Sequence, residues 1–251
     1  MKLKTATLRI MLLIGIAVNA QDIIYLSPDG DNTDGLTWAT AKTTFLEAFN
    51  TAKNDPNPNM VWAKEGLYET SLAHAMENST NDKIYGGFVG DEDPGSNAEA
   101  VVAARAKSDL DNNGIIEPWE FTNTSTFKST RDSKALSNID SGLIIDGFTF
   151  THQGSTATTG ILMIIDIRAS ATVQNCIISG SQWVLTAQAG EASAFIFVQG
   201  TLKNCLIENN TASITTTPEN NNKLNGLISS WTTTNNVVIE GNVVRNNNIT
   251  I

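Results

Sequence analysis

Hydrophobic and polar positions recur in a common pattern through the second half of the chain. Four stretches share it: IIDGFTFTHQ from Ile144, TVQNCIISGS from Thr172, TLKNCLIENN from Thr201 and VIEGNVVRNN from Val238. They follow one another at intervals of roughly 30 to 40 residues, a period typical of stacked structural repeats. The chain after residue 140 is therefore predicted to consist of successive coils.

Alignment of the four stretches predicts the shape of each coil. One column is apolar and contains Ile145, Val173, Leu202 and Ile239. Two positions later, a second column contains Gly147, Asn175, Asn204 and Gly241. Because Gly and Asn tolerate left-handed backbone, this column predicts a tight corner between two short strands. Strands rich in Ile and Val without helical periodicity favour an all-β parallel solenoid over a sandwich.

The next column contains both cysteines of the chain, Cys176 and Cys205. Two cysteines are too few for a disulfide framework, even in an oxidising compartment. The alignment stacks them one above the other, pointing inward. Free, buried thiols that fill the core are the favoured interpretation, and a disulfide or a reactive thiol is the alternative.

Upstream of the repeats, the pattern predicts several strands and one helix. The strands are IIYL from Ile23, MVWA from Met60, GLYE from Gly66 and KIYGGF from Lys83. Thr44 and Glu47 have the spacing of a capping box, and the apolar residues that follow have the period of an amphipathic helix: Phe45, Ala48, Phe49 and Ala52. Such a helix can cover the open apolar end of a solenoid.

The first twenty residues predict export. They contain Lys2, Lys4 and Arg9, then an apolar run from Ile10 to Val18, and they end on Ala20. This is the pattern of a signal peptide. The apolar run is too short to cross a bilayer, which takes about 20 residues. We expect a secreted or outer-surface protein with no transmembrane segment in the mature chain.

Three segments of the N-terminal half, together with the coils that contain the dipeptide Asn-Cys, carry a family resemblance. IYLSPDGDNTDGLTWATA, VWAKEGLYE and KIYGGFVGDED are similar to the N-terminal part of secreted bacterial right-handed parallel β-helix proteins of the pectate-lyase-like superfamily. The resemblance implies the fold and export. It implies activity much less, because this scaffold carries lyases, hydrolases, adhesins and proteins of no known activity.

Four regions are expected from these patterns. They are a signal peptide (1–20), an N-terminal cap with the first β-helix strands (21–97), an insertion with an EF-hand-like calcium loop (98–131) and regular coils (132–251). VIEGNVVRNNNITI begins a coil and stops at Ile251. We expect these residues to be one part of a longer protein; the alternative is a complete short protein capped by a partner chain.

The stretch DLDNNGIIEPWE, from Asp109 to Glu120, matches a calcium-loop pattern in full. The predicted ligands are Asp109, Asp111, Asn113, the carbonyl of Ile115, Glu117 and Glu120. Calcium takes six to eight oxygen ligands, and Gly114 permits the sharp turn between the early and late ones. An acidic surface turn is the alternative.

The residues around this loop predict a structural ion. Ala98 to Lys107 are expected to form an entering helix, whereas Pro118 and the following FTNTSTFKST indicate a turn and a strand. Sensor loops work by moving two helices apart, so a switching role is not expected. A second acidic stretch, DGDNTDG from Asp29 to Gly35, favours hydrogen-bonded Asx turns over a metal site.

Charge and the scattered functional groups limit the function. Sixteen basic residues against twenty-six acidic ones give a net charge of −10, so neither nucleic acid nor anionic membrane is an expected partner. A lyase would need a cation and a base for a uronate substrate. The candidates are Asp166, Arg168, Lys203, Glu208 and Arg245, for which solvated surface charges are the favoured interpretation.

No other catalytic set is selected by the sequence. A glycosidase would need two placed carboxylates, and His74 and His152 stand without neighbours at metal spacing. The first hypothesis is a non-catalytic extracellular protein for adhesion or for binding polysaccharide or cell-surface glycans. The alternative is a polysaccharide lyase. A groove with clustered Arg or Lys and acidic residues would favour the enzyme.

Overall fold

The computed structural model describes residues 22–72, 74–79, 81–130, 136–153, 165–186, 192–215, 223–230 and 236–250. The predicted signal peptide lies outside these residues. Among the described residues, strands in parallel sheets are the predominant secondary structure and only two short helices occur, which confirms the all-β parallel class. None of the helices in these ranges combines the length and the apolar character needed to cross a membrane.

The N-terminal half contains both helices. Its elements are β1 (Ile23–Leu26), α1 (Phe45–Lys53), β2 (Met60–Lys64), β3 (Gly66–Thr70), β4 (His74–Ala75), β5 (Lys83–Phe88), α2 (Ala98–Ala103), β6 (Ser125–Ser129) and β7 (Leu136–Ile139).

The rest of the described chain contains strands only. They are β8 (Ile144–Asp146), β9 (Phe148–His152), β10 (Ile165–Ile167), β11 (Thr172–Gln174), β12 (Ile177–Ser179), β13 (Gln182–Thr186), β14 (Ala192–Val198), β15 (Thr201–Lys203), β16 (Leu206–Glu208), β17 (Thr211–Thr215), β18 (Lys223–Ser229), β19 (Val238–Glu240), β20 (Val243–Arg245) and β21 (Asn248–Thr250).

These strands form four sheets. The first sheet has the order β1-β2-β5-β8-β11-β15-β19, the second β3-β6-β9-β12-β16-β20, the third β4-β7-β10-β14-β18 and the fourth β13-β17-β21. Every pairing between these strands is parallel. From β11 onward the chain passes through the first, second, fourth and third sheets in turn. Each strand except β13, the first strand of the fourth sheet, pairs with its counterpart one repeat earlier.

The strand register of the first sheet matches the predicted alignment of the repeats. Ile145 pairs with Val173, Val173 with Leu202, and Leu202 with Ile239. The predicted corner residues all have left-handed backbone, with φ of +79° at Gly147, +52° at Asn175, +51° at Asn204 and +63° at Gly241. Both the alignment and the corners are therefore confirmed.

The predicted helix α1 packs into the main core. Thr44 is its N-cap: the Thr44 hydroxyl accepts from the Glu47 N–H at 3.3 Å and donates to the Glu47 carboxylate at 2.6 Å. The four predicted apolar residues of the helix are buried in the same core as the inward side chains of the sheets. The Phe45 ring meets Phe127 and Phe148 edge-on, with centroids 5.2 and 5.5 Å away.

A second apolar cluster lies on the opposite face of the first sheet. Tyr25, Trp62, Tyr85 and Phe88 pack there beneath Val102 of α2. Because both faces of the early strands are covered, the run MVWA is buried at every position, as in sheets that are covered on both sides.

The expected helix from Ala98 to Lys107 is shorter in the structure and ends at Ala103. Beyond it, the Arg105 side chain donates to the carbonyl of Val102 at 2.8 Å, and Lys107 forms an antiparallel bridge with Phe121. The pairing of Lys107 with Phe121 takes the place of the last helical turn. No sheet strand lies between β5, which ends at Phe88, and β6, which begins at Ser125. β6 pairs with β3 and β9, so it belongs to the second sheet.

Candidate metal centre

The loop from Asp109 to Glu120 is closed at its base by strand-like contacts. Besides the bridge between Lys107 and Phe121, the Ser108 N–H donates to the Glu120 carbonyl at 3.1 Å. The Thr122 N–H donates to the Ala106 carbonyl at 2.9 Å. This paired base holds the two ends of the loop together.

The first half of the loop wraps around the Asp109 side chain. One Asp109 carboxylate oxygen accepts from the Asn113 N–H at 3.0 Å, and the other accepts from the Gly114 N–H at 2.8 Å. The Asn113 side-chain oxygen accepts from the Ile115 N–H at 2.8 Å. Gly114 has a φ of +87°, so the tight turn occurs where the glycine predicts it.

Three of the six predicted ligands converge. Carboxylate oxygens of Asp109, Asp111 and Glu120 all lie within 4.8 Å of one another, and no other such group of acidic, histidine or cysteine side chains occurs among the described residues. Glu120 is buried, and its carboxylate accepts from the N–H groups of Leu110 at 2.8 Å and Glu117 at 2.9 Å. Backbone donors thus hold this carboxylate beside the two aspartates.

Asn113 and Glu117, two further predicted ligands, contact each other. The Asn113 amide nitrogen donates to Glu117 Oε1 at 2.8 Å, while the buried Glu117 Oε2 has no hydrogen-bond partner. The Asn113 bond lowers the pKa of Glu117, but the neighbouring Glu120 carboxylate and burial outweigh it and raise that pKa. Burial by itself raises the pKa of Glu120. The hydrogen bonds that its carboxylate accepts, first of all from the Glu117 N–H, outweigh burial, so the pKa of Glu120 is lowered.

The sixth predicted ligand, the carbonyl of Ile115, belongs to an exposed residue whose side chain points to solvent.

Asp111 has a partner that the loop pattern does not contain. Arg245 Nη2 lies 3.3 Å from Asp111 Oδ2, and Arg245 Nε donates to Glu208 Oε2 at 2.7 Å. The loop therefore contacts the outer face of the second sheet.

Beside this contact, a cleft of about 160 Å³ lies between the loop and the outer face of the second sheet. It is lined by apolar residues from both sides, Leu110, Trp119, Ile177 and Leu206, and by the charged Asp111, Glu120, Glu208 and Arg245. The remaining lyase candidates lie elsewhere. Asp166 pairs with Arg168 at 2.7 Å beside the third sheet, and Lys203 of the first sheet pairs with Glu240 at 2.8 Å.

The second acidic stretch forms turns, as predicted. Asp31 Oδ1 accepts from the Thr33 N–H at 3.0 Å, and Asp34 Oδ1 accepts from the Leu36 N–H at 2.9 Å. The Asp29 carboxylate pairs with Lys64 at 3.0 Å. Each of the three carboxylates therefore has a partner of its own, and that of Asp29 is a distant lysine.

Among the described side chains, no cysteine or histidine belongs to a group that could hold a metal ion. Cys176 and Cys205 are free and buried, which confirms the favoured interpretation. Burial, and then the neighbouring Cys205 thiol, raise the pKa of the Cys176 thiol well above its ordinary value. His152 is buried on β9, and the side chain of His74 lies outside the described residues.

A buried ion pair that sequence reasoning missed anchors the insertion. Arg105 Nη2 lies 2.6 Å from Asp146 Oδ1, with the two side chains only 6 % and 4 % exposed, and Arg105 Nη1 donates to the Gly86 carbonyl at 2.6 Å. The other Asp146 oxygen accepts from the Gln174 and Asn175 side chains, each at 2.7 Å. The only hint in the sequence is an acidic residue directly before a corner glycine.

No protein-family model matches the chain, and no curated protein or solved structure does either. The resemblance to pectate-lyase-like proteins therefore rests on the quoted motifs alone.

Proposed function

We propose that this chain is a right-handed parallel β-helix that is exported and acts outside the cell without catalysis, in adhesion or carbohydrate binding. The repeated passage through the same sheets and the parallel register support the β-helix. Right-handedness is the rule for connections between parallel strands. For export, we expect the secreted protein to begin at Gln21, which N-terminal sequencing of material from the medium measures. Retention inside the cell with Met1 intact would contradict export.

One observation carries the non-catalytic assignment. The charged lyase candidates are distributed over three sheets, and each has a partner of opposite charge: Asp166 with Arg168, Lys203 with Glu240, and Glu208 with Arg245. A general base must be free to accept a proton. Paired charges on separate faces suit a solvated outer surface better than a reaction site.

A polysaccharide lyase is the second candidate, because the cleft places Arg245 beside the acidic loop. Against it, the hydrogen bond and the attraction of Glu208, and then the contact with Asp111, raise the pKa of Arg245 above its ordinary value. A guanidinium stabilised in this way is a poorer base. For Arg245 to act as the base of a lyase, its side chain would therefore have to break its contacts with both Asp111 and Glu208.

Binding and cleavage are separated by one experiment. The protein is incubated with a panel of neutral and uronate-containing polysaccharides, and retention is measured by affinity electrophoresis while unsaturated products are measured by ultraviolet absorbance. We expect retention by at least one polysaccharide and no products. Products that disappear in Arg245→Ala but persist in Lys203→Ala would establish the lyase. A lack of both retention and products would contradict carbohydrate binding.

We also propose that the loop binds calcium as a structural ion. The donor set fits: the three converging carboxylates of Asp109, Asp111 and Glu120 are hard oxygen ligands. Glu117 adds a buried carboxylate oxygen without a partner, close to a second carboxylate. Asn113 and the carbonyl of Ile115 would complete the set. When bound, the cation would neutralise the clustered charge and fasten the two halves of the loop.

Calcium is tested by thermal melting with calcium and with chelator. A ligand that binds only the folded state at 100 times its Kd adds about 2.7 kcal/mol, or about 5 to 10 °C for a chain of this size. We expect this increase in the parent and its loss in Asp109→Ala. Asp34→Ala, which alters an acidic turn outside the loop, is the matched control and should keep the increase. An unchanged parent melting temperature would refute the site.

A further inference from the structure

Arg245 belongs to two contacts at once. On β20 it stands in register with Glu208 of β16, so the 2.7 Å bond between them is an ordinary cross-strand pair. The second contact, to Asp111 at 3.3 Å, joins residues 134 positions apart in the sequence. A guanidinium can be satisfied by one carboxylate in a bidentate pair, and the contact with Asp111 is the longer of the two. It is therefore the one that can be given up more easily.

Asp111 is also one of the converging carboxylates of the proposed calcium site. Its Oδ1 accepts from the Asn113 N–H at 3.2 Å, and its Oδ2 faces Arg245. A cation that enters the loop meets the positive charge of Arg245 across this single side chain. At such short separation between partly exposed groups, like charges repel appreciably even in salt.

We propose that Arg245 is a tethered cation that competes with the calcium ion for Asp111. This inference rests on the proposed calcium site. Without the ion, Arg245 compensates part of the negative charge of the loop and ties the loop to β20. When the ion binds, Asp111 turns to it and Arg245 pairs with Glu208 alone. By thermodynamic reciprocity, whatever strengthens the contact between Arg245 and Asp111 weakens ion binding by the same factor.

The proposal predicts that loss of the positive charge improves calcium binding. We expect Arg245→Gln to bind calcium about 3-fold to 10-fold more tightly than the parent, as estimated from the repulsion between a divalent ion and a guanidinium at the surface. Arg245→Lys keeps the positive charge, and because the predicted effect is a charge repulsion, this variant should stay within about 2-fold of the parent. Lys203→Gln removes the same charge from a comparable exposed pair on the first sheet, and it should also stay within about 2-fold.

Isothermal titration with calcium chloride at physiological ionic strength measures the four affinities on the full chain. In the parent, the NMR signal of the Arg245 Nε–H should also shift when calcium is added, a readout that needs no substitution. Equal or weaker binding by Arg245→Gln would overturn the proposal and leave the calcium site intact. Binding by Arg245→Gln alone would support the competition in its strongest form. Absence of binding in every variant would overturn both the site and the competition.

Discussion

Replacement of Arg105 by alanine tests the contact that holds the insertion to the sheets. The substitution removes the 2.6 Å ion pair with Asp146 and the hydrogen bond to the Gly86 carbonyl. It also removes a guanidinium that lies 4.4 Å from the centroid of the Phe121 ring. Asp146 stays buried, with one oxygen held by Gln174 and Asn175 and the other without its charged partner.

The expected cost follows from that stranded charge. Removal of one partner from a buried pair destabilises proteins by about 3 to 5 kcal/mol, since the remaining ion is left uncompensated in a medium of low polarity. For a chain of this size, the loss corresponds to a melting temperature lower by about 6 to 20 °C. Lys128→Ala is the control, because its 3.5 Å pair with Glu69 is exposed and worth at most about 1 kcal/mol.

Chemical denaturation followed by tryptophan fluorescence and circular dichroism measures the free energy of unfolding. A third variant joins Arg105→Met with Asp146→Asn, which removes both charges while the amide oxygen still accepts from Gln174 and Asn175. It should recover at least half of the loss, because a buried pair replaced by uncharged groups of similar size is often neutral. The reasoning is refuted if Arg105→Ala loses less than about 1 kcal/mol, or if the double variant is no more stable than Arg105→Ala.

Three further predictions concern the corners, the core and the response to alkali. Asn204→Ala should lose about 1 to 2 kcal/mol of unfolding free energy, because alanine is strained at a φ of +51°, whereas Asn204→Gly should stay within about 0.5 kcal/mol. Cys176 and Cys205 should react with a thiol reagent only at the rate of unfolding, since both are buried and burial raises the pKa of Cys176; rapid labelling in native buffer would contradict this. Burial, and then the charge of Asp29, raise the pKa of Tyr68 above its ordinary value. The stability linked to this shift is fully present below about pH 10, the pKa of tyrosine in the unfolded chain, and it decreases as the pH rises above that pKa. In denaturation curves recorded between pH 9 and 11, Tyr68→Phe should reduce this loss of unfolding free energy. An identical dependence on pH in parent and variant would refute the prediction.

The sequence by itself determined the features that depend on local geometry and on the repeat. The corner column could be predicted because Gly147 and Asn175 are residue types that accept a positive φ. The register followed, because aligned apolar positions must face the same core. The helix beginning at Phe45 and the turn at Gly114 were likewise predictable, since a capping box and a glycine act within a few residues.

Only the tertiary structure decided which distant residues meet. Arg105 and Asp146 lie 41 positions apart, and Asp111 and Arg245 lie 134 apart. The helix before the loop was expected to continue to Lys107, but it ends at Ala103, after which Arg105 contacts Gly86 and Asp146, and Lys107 pairs with Phe121. Helix propensity amounts to tenths of a kcal/mol per residue, whereas separating Arg105 from the buried Asp146 would cost about 3 to 5 kcal/mol, so the long-range contact outweighs the local preference.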